Sequence, residues 1–219
     1  MLGARLLVLT IAIVLGNSSS GCFVAHLRPP LRAAAVKHDA PGLMDALERM
    51  IDRREATKQD REGAYDAVRQ WKDDTPGYAL ARAVLAGRVA QIRGVTAVTL
   101  VRQVEKWARV SMELDPGYRG GHARRVLGTL YVLAPASLVA HGDSEVGIEL
   151  LEEQRDAHPS EPSNHLRLAE AFLALDDPEP ATAYLCFCIE KQAGLRPSDR
   201  RLLMRLIDVA GGTAELDCG

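Results

Sequence analysis

Chemistry in this chain would have to come from six histidines, four cysteines and a few clustered arginines. The histidines stand at positions 26, 38, 122, 141, 158 and 165, and none forms a helical pair with a suitably placed Glu, the spacing a zinc hydrolase needs. His141-Gly142-Asp143 sets a base beside a carboxylate, with Ser137 and Ser144 close in sequence. A serine nucleophile of the Gly-x-Ser-x-Gly kind needs a sharp strand-to-helix turn, and no strand pattern is written here to supply one. Asp143 therefore reads as a helix cap and His141 as a solvent contact. Arg119-Gly120-Gly121 lacks the strand, the length and the Lys of a phosphate loop. No catalytic residue, metal ligand set or cofactor is named by these patterns, and the expected activity is non-enzymatic.

Binding is better provided for. Arg119, Arg124 and Arg125 surround a helix opening after Gly121, where backbone donors and the positive helix end suit a carboxylate, a phosphate or an acidic partner. Trp107, Tyr118 and Tyr131 could line a groove for a small organic ligand or a peptide. Surface ion pairs for the arginines and packing for the aromatics are the competing readings, and both stay open at this point. Cys186 and Cys188 point about 200 degrees apart on a helix, which argues against a shared bridge or metal. Cys218 lies beyond the last predicted helix, free to pair with Cys186 or to remain a thiol.

These residues need helices to position them. The chain has 219 residues, 47% hydrophobic but only 5% aromatic, so Ala, Leu and Val must fill its core. A formal net charge of −2 gives no electrostatic reason to bind nucleic acid. Residues 22–38, which include Pro29 and Pro30, read as an anchor and tether. The folded body spans residues 39–210, and residues 211–219 form a tail. Apolar stripes at helical spacing begin at Asp39, and further segments are predicted near 64–71, Tyr78–Ile92, Thr99–Leu114, from Gly121, from Asp143, from a Ser163 cap, from an Asp177 cap and from Pro197. Nothing alternates with period two. The fold class is all-α. Pro76-Gly77-Tyr78 recurs as Pro116-Gly117-Tyr118, an echo that points to internal repeats.

The first 21 residues read as a signal peptide. MLGAR places one positive charge before the apolar run Leu6 to Leu15, which is too short to span a bilayer. Ser19-Ser20-Gly21-Cys22 then resembles the lipobox of bacterial lipoproteins, with Ser19 standing where Leu is usual. The resemblance implies that Cys22 is acylated and becomes the first residue of a protein held in the cell envelope. Phe23 follows instead of Asp, which resembles the pattern sorted to the outer membrane and implies its periplasmic face as the location.

Leu168, Ala169 and Phe172, followed by Ala181, Leu185 and Cys188, resemble the two signature helices of a tetratricopeptide repeat. Small residues at 169 and 181 allow close approach, and the larger ones fill the space between pairs. Longer connections at Arg93–Thr99 and around Pro135 make the array irregular, with long insertions inside repeats. Together with the leader, the stretch Glu113 to Tyr131, Ala134-Pro135, Gly142-Asp143 and Leu150-Leu151 resembles the T-component of tripartite ATP-independent periplasmic (TRAP) transporters. That resemblance implies binding to a periplasmic solute-binding protein, with a homotrimer as the assembly. A scaffold lipoprotein that docks another envelope protein, and a carrier of a small apolar ligand, are the alternatives. The anchor is the simplest of these expectations to check: Cys22→Ala is expected to shift the chain from membrane to soluble fractions, and an unchanged distribution would refute it.

Overall fold

The computed structural model describes residues 26–214 and 216–218. Among them lie ten α-helices, three 3-10 turns and no strand, so the chain is all-α. In chain order the helices are α1 (Pro29–Ala35), α2 (Ala40–Asp52), α3 (Lys58–Val68), α4 (Pro76–Arg93), α5 (Val98–Leu114), α6 (His122–Leu133), α7 (Ser144–Ala157), α8 (Pro162–Ala174), α9 (Pro178–Glu190) and α10 (Pro197–Val209). The signal peptide, the apolar leader run and Cys22 lie outside the described residues, and no described helix is long and apolar enough to cross a membrane.

Most starts follow from local chemistry. Proline occupies the first turn of α1, α2, α4, α8, α9 and α10, where its missing N–H costs nothing. Asp39 accepts from Gly42 N at 2.9 Å and Asp143 from Val146 N at 3.1 Å, the capping roles read from the sequence. Two other caps differ. Ser163 sits inside α8, whose cap is Glu161, and Asp177 makes no side-chain cap bond, so Pro178 alone marks the start of α9.

The chain is already folded where a tether was expected. Leu31 and Ala35 on α1, with Leu27 just before it, are buried against α2 and α3, because their i, i+4, i+8 spacing puts all three on one face. At the other end Leu216 is buried, and a disulfide joins Cys186 on α9 to Cys218. Closing that loop removes about 3–4 kcal/mol of denatured-state freedom on the chain-entropy model. The Pro-Gly-Tyr echo is not equivalent in structure. Its first copy opens α4 and its second forms the turn between α5 and α6. The two copies meet, however, since a side chain at Gly77 would collide with the Tyr118 hydroxyl.

Helices α4 and α5, α6 and α7, and α8 and α9 pack as successive side-by-side pairs. Leu168, Ala169, Ala181, Leu185 and Cys188 are fully buried at or between the later pairs, while Phe172 is partly covered and stacks on Tyr184 at 5.9 Å. Backbones approach closely where α6 packs on α7. A Cβ on Gly128 would lie 2.8 Å from the Gly147 carbonyl oxygen, and one on Gly147 would lie 2.9 Å from that of Gly128. Gly87 on α4 is the opposite case, with only Val104 Cγ2 at 3.7 Å from its added Cβ. The same substitution should therefore carry opposite signs. Gly128→Ala is expected to lower stability by about 1–3 kcal/mol through overpacking, and Gly87→Ala to raise it by about 0.5–1 kcal/mol through helix entropy. Urea unfolding midpoints check both.

Candidate functional site

Three helices meet at one carboxylate. Glu48 on α2 is 7% exposed and takes both arms of Arg88 from α4, at 2.6 and 2.7 Å. It also accepts from Arg196 Nη1, at the start of α10, at 2.8 Å. Arg196 reaches Asp52 as well, at 2.8 Å, and Arg201 donates to the Ile51 and Asp52 carbonyls at the end of α2. Burial alone would raise the Glu48 pKa, but the two guanidiniums outweigh it and hold the group at about 2.

Beside this cluster lies a cavity of about 1080 Å³. Its walls come from α2, α4, α5, α6, α8 and the start of α10, with the 134–138 connection along one side. Its apolar lining includes Ala83, Val84, Val101, Val104 and Leu138. Its polar lining includes Arg88, Arg119, His122, Arg125, Arg167 and Arg196, with Asp45, Glu48, Glu161 and Asp199. Helix α6 contributes to both. His122, Arg125 and Thr129 fall on one face at i, i+3 and i+7, and Val126 and Leu130 lie next to them. Burial, reinforced by Arg125, pushes the His122 pKa down to about 3, so the ring is neutral at physiological pH.

The residues singled out from the sequence divide between this cavity and the packing around it. Arg119 and Arg125 line it. Arg119 is clamped by both oxygens of Asp45, at 2.6 and 2.8 Å. Arg124 points elsewhere, to Glu153 at 3.8 Å. The three aromatics do not line it. Trp107 packs edge-on against Tyr78 under the Arg82 guanidinium, and Tyr118 fills the space over Gly77. Tyr131 is buried with its ring over Gly142 and its hydroxyl donating to Glu105 at 3.1 Å.

Glu105 disposes of the remaining acid–base arrangement. Its buried carboxylate accepts from the backbone N–H groups of Ala140 and His141, at 2.9 and 2.8 Å, and has His141 Nδ1 at 3.2 Å. Burial opposes the charge, but these donors keep its pKa below the usual range. It thereby holds the connection between α6 and α7, whose Pro135 and Leu138 border the cavity. His141 thus faces Glu105 while Asp143 faces its own helix. Among the described residues no group of three or more His, Cys, Asp or Glu side chains could hold a metal ion.

No protein-family model matches the chain, and no curated protein matches it in sequence. The site therefore stands on its own geometry.

Sequence reasoning missed Glu48, Arg88, His122, Thr129, Arg167 and Arg196. The spacing of His122, Arg125 and Thr129 was an available signal; the others converge from helices far apart in the chain. The Glu48 cluster has a measurable consequence. Its folded pKa lies below the ordinary 4.5, so its stabilisation is present above pH 4.5 and lost as pH falls toward 2. The shift corresponds to about 3 kcal/mol. Neutral His122 adds a loss that begins as pH falls below 6.5. Glu48→Gln is expected to lower stability at pH 7 by that order and to flatten the acid limb between pH 4.5 and 2, read from urea midpoints across pH.

Proposed function

We propose that the protein is a non-enzymatic binding protein that holds a small organic molecule in this cavity. It does so on a tetratricopeptide-like array anchored in the bacterial envelope through acylated Cys22. Its setting is a TRAP-type uptake system, with a periplasmic solute-binding protein as docking partner.

The observation that carries this reading is the cavity: about 1080 Å³, bounded by several helices and lined by both apolar residues and arginines. Ordinary ligand pockets run to roughly 1,000 Å³ and combine apolar walls with a few placed polar groups. The paired helices, with small buried residues at Ala169 and Ala181, support the tetratricopeptide-like description. A scaffold working only through its outer face would have no use for an internal space of this size. Tethering would let a weak encounter with a soluble partner count, because it raises the local concentration.

The test uses Gly87, which lines the cavity and has room for a side chain. The neutral fluorophore N-phenyl-1-naphthylamine is expected to bind the full-length chain one to one. Gly87→Phe should weaken binding by about ten-fold or more through lost apolar space, while Gly87→Ala leaves it intact. Absence of dye binding, or equal binding by the Phe variant, would overturn the ligand-holding reading. The transport setting falls separately if the tagged full-length chain fails to retain the system's solute-binding protein from envelope extracts.

A further inference from the structure

Among the described residues five arginines line the cavity, and four of them are directly neutralised. Arg88 and Arg196 share Glu48, Arg119 has Asp45, and Arg167 reaches Glu170 and Asp199, both at 2.7 Å. Arg125 differs. Its hydrogen-bond acceptors among the described residues are both neutral, Ser163 Oγ at 3.0 Å and Asn164 Oδ1 at 2.8 Å, and both are served by Nη1. Ser163 Oγ passes a bond on to Glu161 at 2.9 Å, so the nearest linked carboxylate is one hydroxyl removed. Among the described residues the Nε–Nη2 edge finds no hydrogen-bond acceptor, on a residue whose place is the cavity wall.

A partly buried guanidinium with no carboxylate in direct contact is costly to keep charged. The cost registers in titration: burial and then Arg167 push the Arg125 pKa down to about 10 against the more distant pull of Asp199 and Glu161, whereas ion pairing raises those of Arg167 and Arg196. One turn along the same face, the Thr129 hydroxyl is buried with no hydrogen-bond partner. Neutral His122, one turn back, cannot supply the missing charge.

We propose that the cavity receives an organic monocarboxylate, its carboxylate held by the free edge of Arg125 with Thr129 beside it and its apolar body along Val84, Val104, Val126 and Leu130. The inference rests on the ligand-holding reading and specifies the ligand's chemistry. The Nε–Nη2 edge of a guanidinium matches two carboxylate oxygens with parallel hydrogen bonds. One unpaired guanidinium balances one negative charge. Asp45, Glu48, Glu161 and Asp199 on the same walls disfavour a second, so dicarboxylates and phosphate dianions are expected to bind more weakly.

The experiment is calorimetric titration of the full-length chain at pH 7 with three molecules sharing one apolar body: 4-phenylbutyrate, 4-phenylbutan-1-ol and 4-phenylbutylamine. The acid is expected to bind at least about ten-fold more tightly than the alcohol, and the amine most weakly. Arg125→Gln should abolish the acid's advantage while keeping alcohol affinity within about two-fold, and Arg124→Gln, which lies off the cavity, should retain the advantage. N-phenyl-1-naphthylamine binding by Arg125→Gln reports that its cavity is intact. Equal binding of acid and alcohol by the unmodified chain overturns the proposal, and so does an advantage that survives Arg125→Gln. If the dye binds and none of the three does, this inference falls and the ligand-holding reading stands. If the dye also fails, both fall.

Discussion

Glu48 sets the shape of this molecule. A carboxylate buried to this degree is tolerable only if fully paired, and its partners come from residues 40 and 148 positions further along the chain. The guanidinium at the start of α10 must therefore be brought back to α2, which turns a row of helix pairs into a closed arrangement. Such clusters give little net stability over an apolar replacement, yet losing one member strands the rest. The cluster thus acts chiefly on arrangement, holding α2 and α10 against one another.

Closure makes the cavity. Arg88, Arg196 and Glu48 belong to its wall, so the contacts that join α2 to α10 also furnish polar lining. Apolar lining comes in part from α4, whose run of buried alanines keeps the backbone of its neighbours near and whose Gly87 leaves space. Low aromatic content is part of the same design, because few rings are present to fill that space. Those that occur nearby, Trp107, Tyr118 and Tyr131, are spent on joining helices.

The elements were largely legible from the sequence and the site largely was not. Segments expected at Tyr78–Ile92 and Thr99–Leu114 occur as Pro76–Arg93 and Val98–Leu114, because apolar spacing and the flanking turn residues act locally. Residues 29–35 escaped that reading: a prolyl pair reads equally as an extended tether or as a helix start, and the stripe of Leu27, Leu31 and Ala35 is only two turns long. Arg119 and Arg125 stood out through their place beside a glycine-led helix start, and both line the cavity. Arg196 was not, since an arginine before Pro197 looks like any solvated helix end until the chain folds back on Glu48. Which of several arginines lacks a carboxylate is likewise a property of pairings across 32 to 148 residues, beyond any local pattern.

The same closure orders events during synthesis. Contacts within and between adjacent helix pairs can form as each pair emerges, but Glu48 must wait for Arg196. Until the last helix has been made, α2 carries a carboxylate paired with Arg88 alone, and the cavity lacks one of its walls. A nascent chain that has not yet delivered α10 is therefore an open array, and the cavity is complete only once that helix is in place.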